Sequence, residues 1–255
     1  MSIPPKMELN TWFRRKRSNP NPKLRLFSFP HAGGGASMFR LWHTHLPTSV
    51  EVCPVQLPGR ENRVQEKPYS NIACLINDLT EVVRPLLDVP FTLFGHSMGG
   101  LIAFELTRAL RRKNMVLPDL LIIAGLAAPH DPDQPPVVHH LPQDEFIDYI
   151  RQLEGTPEEV LNNSKLMDFF LPLLRADFAL YEKYQYYQED PLQCPIVVYG
   201  GLKDESVPEK TLVSWGDLTS KSFKKKMFPG DHYFIRDNSE FLFRALIDDL
   251  KTLLE

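Results

Sequence analysis

Residues 95–99 read Gly95-His96-Ser97-Met98-Gly99. An apolar run at residues 91–94 precedes them, and apolar residues at helical spacing follow over residues 101–110, which predicts a strand, a sharp turn and a helix. A serine in such a turn adopts a strained backbone, and flanking glycines let strand and helix approach each other. Its hydroxyl then lies above a helix N-terminus, where backbone N–H groups favour negative charge. Ser97 is therefore a candidate nucleophile.

The turn pattern also occurs in ordinary strand-to-helix connections, so the interpretation depends on a base and an acid elsewhere in the chain. In enzymes built around this turn they follow in the order serine, Asp or Glu, and histidine. Asp204 comes shortly after a predicted strand at residues 195–201, and His232 comes just after another at residues 222–228. These positions predict a triad in which His232 takes the proton of Ser97 and Asp204 orients the imidazole.

Other side chains compete for these roles. Asp204 could instead cap the helix that follows it. Glu205 is a neighbouring carboxylate, but a displacement of one residue turns its side chain away. Asp231 is too close in sequence to reach around the histidine ring, and we expect His96 to point away from the attacking oxygen.

A glycine-rich turn after the first predicted strand, residues 24–29, supplies the second half of an oxyanion hole. It reads Pro30-His31-Ala32-Gly33-Gly34-Gly35. We predict that the backbone amides of Ala32 and Met98 together bind the oxyanion. The turn lacks the G-x-G-x-x-G spacing of a dinucleotide-binding site. We expect His31 to brace this loop by hydrogen bonds.

Length and composition limit the class of protein. The chain has 255 residues, 43% hydrophobic and 24% charged, which suits one domain with a sizeable core. A net charge of -3 argues against a nucleic-acid-binding surface. No apolar run has the length of a transmembrane helix, and no signal peptide is recognisable. Three irregularly spaced cysteines form no metal motif and are expected to be buried. We expect a monomeric cytoplasmic protein.

The order of elements predicts an α/β fold with a mostly parallel sheet covered by helices on both faces. Residues 1–22, which include the basic cluster Arg14-Arg15-Lys16-Arg17, are predicted to be a flexible arm, and residues 23–255 one domain. Prolines and closely spaced aromatic residues interrupt the alternation over about residues 129–190. We interpret this stretch as an inserted helical lid over the carboxyl ends of the strands.

Five motifs give the chain a family resemblance. They are Phe29-Pro30-His31-Ala32-Gly33-Gly34, Leu57-Pro58-Gly59-Arg60, Gly95-His96-Ser97-Met98-Gly99-Gly100, Gly200-Gly201-Leu202-Lys203-Asp204 and Gly230-Asp231-His232-Tyr233-Phe234. Together they resemble the stand-alone type II thioesterases of polyketide and nonribosomal peptide synthesis, from Lys23 onward. The resemblance implies an α/β-hydrolase fold with a mobile helical lid. It also implies hydrolysis of acyl groups from the phosphopantetheine arm of acyl or peptidyl carrier proteins, for editing or for release of fatty acids.

The expected reaction passes through an acyl-serine and needs no metal or organic cofactor, since the partner carries the pantetheine. A small-molecule carboxylesterase or an acyltransferase would use the same triad. An inactive hydrolase fold that serves as a binding module is a further alternative, disfavoured because all three triad positions are filled. Lys224, Lys226 or Arg60 could contact an acidic carrier protein, although solvated charge is their ordinary role.

Overall fold

Six parallel strands form one sheet in the computed structural model, which describes residues 9–15, 19–153, 155–237 and 239–255. The spatial order is β2-β1-β3-β4-β5-β6, so the strand that leads into Ser97 lies near the centre. The strands are β1 (Leu24–Phe29), β2 (Val50–Pro54), β3 (Phe91–His96), β4 (Leu120–Ala124), β5 (Ile196–Gly201) and β6 (Phe223–Phe228). All five pairings are parallel, which confirms the predicted sheet.

Helices connect the strands and cover the sheet. They are α1 (Leu9–Trp12), α2 (Trp42–His45), α3 (Ile72–Val83), α4 (Met98–Arg112), α5 (Gln143–Gln152), α6 (Glu158–Leu161), α7 (Ser164–Glu182), α8 (Glu209–Leu212), α9 (Phe234–Asp237) and α10 (Ser239–Leu254). Short 3₁₀ turns cover Ala36–Phe39, Glu61–Arg63, Arg84–Leu86 and Val213–Leu218. Between β5 and β6, α8 passes into a 3₁₀ turn after one α-helical turn.

The two faces of the sheet have separate hydrophobic clusters. Neighbouring strand residues alternate between them, as Ile122 and Ile123 do, because successive side chains of a strand point to opposite faces. Helices α3 and α4 contribute to one cluster, and α2 and α10 contribute to the other. The strands are buried throughout except for the edge strand β6. Burial of both faces explains why apolar residues occupy every position of β4 and four of the six positions of β1.

The N-terminal segment differs from the predicted flexible arm over residues 9–15. Trp12 and Phe13 are 1% and 2% exposed and belong to the hydrophobic core. Phe13 forms an antiparallel bridge with Val55 beyond the end of β2, and Arg15 pairs with Glu51. Burial of these two aromatic rings, together with the bridge and the ion pair, places the segment against the sheet. The rest of that cluster, residues 16–17, lies outside the described residues.

Helices α5, α6 and α7 lie between β4 and β5, where strand and helix would otherwise alternate. They have a small apolar cluster of their own, which consists of Val138, Phe146, Ile150, Leu161, Met167, Leu171 and Leu174. We refer to this part of the chain as the helical insertion. Its action as a lid and its predicted limits, 129–190, stay predictions.

The three cysteines differ in their exposure. Cys53 and Cys194 are buried as expected, but Cys74 is exposed, because it lies in the first turn of α3 on its outer side. Among the described residues, no helix combines the length and apolar character needed to cross a membrane.

Candidate active site

Ser97 occupies the sharp turn between β3 and α4. Its backbone has φ 53° and ψ −121°, in the left-handed region that non-glycine residues rarely adopt. A Cβ on Gly95 would lie 2.1 Å from Gly99 O, and one on Gly99 would lie 2.2 Å from Phe29 O. Both flanking positions must therefore be glycine for β1, β3 and α4 to approach so closely. The strained serine turn that the sequence predicts is present.

Asp204 and His232 are brought together at the carboxyl ends of β5 and β6. His232 Nδ1 donates a hydrogen bond to Asp204 Oδ2 over 2.8 Å, and Asp204 is 7% exposed. This bond leaves Nε2 of a neutral ring as an acceptor. Burial raises the pKa of Asp204, but hydrogen bonds from His232, Ser206 and Val207 outweigh it, so the pKa lies below the ordinary 3.8. Asp204 is thus held as a carboxylate against the ring.

Ser97 and His232 line the same cavity, of about 90 Å³, beneath apolar residues of the helical insertion. The Ser97 hydroxyl makes no hydrogen bond to the ring within the described part of the chain. Such bonds are often long in enzymes without substrate and shorten in the complex. Ser97 and the ring of His232 therefore line one cavity without a hydrogen bond between them.

The two amides predicted to bind an oxyanion belong to the same cavity, which Ala32 and Met98 both line. Across the described residues, neither backbone N–H donates to a protein acceptor. Met98 is the first residue of α4, where an amide lacks a partner within the helix. Two free donors beside a serine are the arrangement that stabilises a developing negative oxygen.

The other two histidines at the site have structural partners. His31 Nδ1 donates to Ala32 O over 2.8 Å, and its Nε2 accepts from Arg236 over 3.2 Å, so His31 braces its loop as expected. His96 Nε2 donates to His232 O over 2.8 Å. Burial lowers the pKa of both rings, that of His31 to about 4 and that of His96 well below 6.5. Both rings are neutral at neutral pH.

The alternative carboxylates have other surroundings. Asp231 Oδ1 accepts a hydrogen bond from Tyr233 N over 2.6 Å and serves the turn after β6. Glu205 is exposed. Asp204 is thus the carboxylate on the ring of His232, and its second oxygen also accepts from the amides of Ser206 and Val207. In the described ranges, no group of three or more histidine, cysteine or carboxylate side chains is arranged to hold a metal ion.

A comparison with known protein families matches residues 24–250 to the thioesterase domain family. The chain belongs to the thioesterase family. The match begins with β1 and runs into α10, so it includes the complete sheet and every residue of the candidate site.

The relatives of this thioesterase include two bacterial proteins and a solved type II thioesterase. The chain is 41% identical to gramicidin S biosynthesis protein GrsT of Aneurinibacillus migulanus, over 97% of this chain and 96% of the relative. It is 32% identical to thioesterase PikA5 of Streptomyces venezuelae, over 97% of this chain and 88% of the relative. The solved type II thioesterase BorB of the borrelidin cluster superposes with a TM-score of 0.84 at 32% identity, covering 94% of this chain and 98% of that one.

These comparisons confirm several predictions made from the motifs. The thioesterase has the α/β-hydrolase fold, and it is a type II thioesterase, a hydrolase of thioester bonds, of the polyketide and nonribosomal peptide class. Animal relatives extend the group, since the rat medium-chain S-acyl fatty acid synthase thioesterase is 31% identical over 88% of this chain and 87% of the relative.

Two polar features of the thioesterase were not foreseen. Ser206 donates from Oγ to Asp204 Oδ1 over 2.6 Å and lies 3.2 Å from His232 Nδ1. Its position two residues after the acid could have indicated this contact, since a serine there commonly forms a local turn. Arg60 was interpreted as solvated charge or as a contact for the carrier. That interpretation is wrong, because Arg60 is 4% exposed and paired with Asp177 of α7.

The lysines of the edge strand β6 differ from one another. Lys226 pairs with Asp249 over 2.7 Å, and Lys225 pairs with Glu209 over 2.5 Å. Lys224 is exposed. Of the three residues considered for contact with an acidic carrier, Arg60 is therefore excluded by burial and Lys226 is already held by a carboxylate.

Proposed function

We propose that Ser97, His232 and Asp204 act as nucleophile, general base and orienting acid in the hydrolysis of carrier-bound acyl thioesters. The observation that carries this proposal is the single cavity that Ser97 shares with His232, whose Nδ1 is bonded to Asp204. Both Ser97 and His232, whose Nε2 is left as an acceptor, line that cavity. The arrangement has the roles of a serine triad.

In the first half-reaction, Ser97 Oγ attacks the thioester carbonyl carbon and His232 Nε2 takes its proton. The carbonyl oxygen becomes an oxyanion, which accepts hydrogen bonds from the amides of Ala32 and Met98. The carbon–sulfur bond then breaks, and His232 returns the proton to the leaving pantetheine thiolate. Asp204 stabilises the imidazolium between these steps. The products are an acyl-serine and a free thiol.

In the second half-reaction, water replaces the thiol beside the acyl-serine. His232 removes a proton from the water, whose oxygen attacks the ester carbonyl, and the same two amides hold the second oxyanion. Collapse of this intermediate breaks the bond to Ser97 Oγ, which takes the proton back from His232. The chain's own residues account for every proton transfer, so the proposed reaction involves no metal or organic cofactor.

The partner in this proposal is an acyl or peptidyl carrier domain of a polyketide, nonribosomal peptide or fatty acid synthase. The relatives named for gramicidin S biosynthesis and for fatty acid synthase support a carrier-bound substrate in general. The cavity at Ser97 is smaller than the roughly 300–1,000 Å³ usual for ligand sites. A groove of about 770 Å³ shares Ala32 and Tyr233 with it and gives room for the rest of the substrate. The monomeric state and a cytoplasmic location stay predictions.

The experiment that tests the proposal compares steady-state hydrolysis of acetyl-, octanoyl- and palmitoyl-carrier protein with that of the matching free pantetheine thioesters. Ser97→Ala is the inactive variant, and Ser222→Ala, at an exposed serine, is its matched control. We expect preference for carrier-bound substrate, lost in Ser97→Ala and retained in Ser222→Ala. Faster turnover of simple esters would instead identify a general carboxylesterase. Activity that persists in Ser97→Ala would refute the proposed nucleophile.

A further inference from the structure

Helix α7 of the helical insertion contacts the loop that carries Ala32. Asp177, on the second turn from its C-terminal end, accepts a hydrogen bond at Oδ2 from Gly33 N over 2.7 Å. Gly33 directly follows Ala32, whose amide is one of the two proposed oxyanion donors. A side chain of the insertion is therefore one residue away from the oxyanion hole.

The same carboxylate is paired with Arg60 of the loop after β2. Both Asp177 oxygens accept from the guanidinium, Oδ1 from Nη2 and Oδ2 from Nη1, each over 2.8 Å. Arg60 Nη1 also donates to Gly34 O over 2.9 Å. The ion pair is buried, with Asp177 1% and Arg60 4% exposed. The planar guanidinium and carboxylate share two parallel hydrogen bonds. This bidentate arrangement fixes the orientation of one group relative to the other more strictly than a single hydrogen bond would.

Packing acts at the same point as the hydrogen bonds. Gly33 has φ +75°, and a Cβ built on it would lie 2.6 Å from Leu174 Cδ2. Leu174 precedes Asp177 by three residues, so both side chains project from the same face of α7. Helix α7 therefore packs directly against the loop. At Gly33 it makes both an apolar contact, from Leu174, and a hydrogen bond, to Asp177. Gly33 has little freedom while α7 is in this position.

We propose that Asp177 is a positioning residue that holds the amide of Ala32 in place through Gly33, so that the helical insertion completes the oxyanion hole. Arg60 makes this possible because it supplies the charge that a buried carboxylate requires and fixes the carbonyl of Gly34. Asp177 itself does not touch the substrate. The inference rests on the proposed function, since it assumes that Ala32 N binds the oxyanion.

The test uses Asp177→Asn in the full chain, with Asp168→Asn as control. Asp168 is an exposed residue of the same helix, so its variant changes the same charge away from the loop. Asparagine keeps the size of aspartate but, in either orientation of its amide, presents its NH₂ group to at least one of the two Arg60 donors, which breaks the bidentate pair. We expect kcat on acyl-pantetheine to fall by about tenfold to hundredfold in Asp177→Asn, at most the lower end of the roughly 10²–10³-fold loss for removal of a donor, because the amide of Ala32 is displaced and not removed. KM and the Asp168→Asn control should stay within about twofold of wild type.

A second readout separates positioning from general weakening of the structure. An alkyl trifluoromethyl ketone adds to Ser97 to give a tetrahedral oxyanion, so its affinity reports the oxyanion hole. We expect its Kd to rise by the same factor by which kcat falls. Arg60→Lys keeps the charge but cannot form the bidentate pair, and it should show the same parallel loss if Asp177→Asn does not fold.

Three results would overturn this inference while leaving the proposed function intact. One is wild-type kcat and ketone affinity in folded Asp177→Asn, whatever its Tm. Another is a rise in KM at constant kcat, which would make Asp177 a substrate-binding residue. The third is a fall in kcat without loss of ketone affinity. Failure of the proposed function looks different, because wild-type protein would then hydrolyse no thioester or Ser97→Ala would retain activity.

Discussion

His96 Nε2 donates a hydrogen bond to the backbone carbonyl oxygen of His232 over 2.8 Å. His96 precedes the nucleophile and ends β3, whereas His232 belongs to the loop after β6, so the bond joins two loops that carry catalytic groups. Their ring centroids are 5.2 Å apart. The neutral His96 ring, whose pKa burial lowers well below 6.5, therefore fixes the backbone of the proposed base relative to the serine turn.

Replacing His96 by phenylalanine keeps a ring in the space and removes the hydrogen bond. We expect kcat to fall about tenfold, because a buried carbonyl that loses its donor costs about 1–3 kcal/mol and the His232 loop shifts to find another. His140→Phe, at an exposed histidine, is the control and should keep wild-type activity. Steady-state hydrolysis of acyl-pantetheine measures both. Equal rates in the two variants would contradict a role for His96 in holding the base.

Ser206→Ala tests the support of the acid. The hydroxyl donates to Asp204 Oδ1 over 2.6 Å, and this bond is among those that lower the pKa of Asp204. Its loss raises that pKa and frees the carboxylate to rotate. We expect kcat to drop by about tenfold or more, as a hydrogen bond to a charged group contributes about 1.5–3 kcal/mol. The acid limb of kcat/KM should move to higher pH. An unchanged pH profile would show that the backbone amides suffice to hold Asp204.

Stability should fall as the pH falls from 6.5 to 4. Burial lowers the pKa of His31 from 6.5 to about 4, so the unfolded chain takes up a proton in this range before the folded chain does. The stability that this neutral histidine contributes above pH 6.5 is lost by pH 4, an effect of about 3 kcal/mol. The free energy of unfolding, measured with urea across this pH range, should change less with pH in His31→Gln than in wild type. The control variant His140→Gln, at an exposed site, should behave as wild type does. If the free energy of unfolding depends on pH as strongly in His31→Gln as in wild type, His31 is not a source of the loss of stability at low pH.

Trp12→Ala tests the packing of the N-terminal segment. Trp12 is buried in the hydrophobic cluster to which α3 and α4 contribute. The guanidinium of Arg63 lies over its ring, 4.3 Å from the ring centroid. We expect a loss of about 3–5 kcal/mol in the free energy of unfolding, as for other buried aromatic residues. Asn21→Ala, at an exposed position beyond that segment, should change it little. A loss below about 1 kcal/mol in Trp12→Ala would mean that residues 9–13 contribute little to the core.

The parts of the molecule that local sequence controls could be predicted. β1 begins and ends as expected, at residues 24 and 29, because strands buried on both faces are mainly apolar in sequence. The turn at Ser97 was also predictable, since only glycine fits on both sides of it. His232 and Asp204 could be named from their order and their place after strands. Each of these signals lies within a few residues of the feature it predicts.

The features that escaped prediction depend on residues far apart in the chain. Arg60 and Asp177 are separated by 117 positions, and each has the appearance of an ordinary surface charge in sequence. Only the packing of α7 over the loop shows that both are buried. Trp12 was missed for a related reason, because the residues that its ring contacts, Arg63 and Tyr69, lie far away in the chain, after β2.

The helical insertion has an apolar cluster of its own, separate from those on the two faces of the sheet. A segment with its own apolar core can open locally as one cooperative unit. Exchanging this segment between relatives is therefore a rational route to altered acyl preference. A transplanted segment would have to bring an acidic side chain to the Arg60 guanidinium, because the recipient keeps that buried cation.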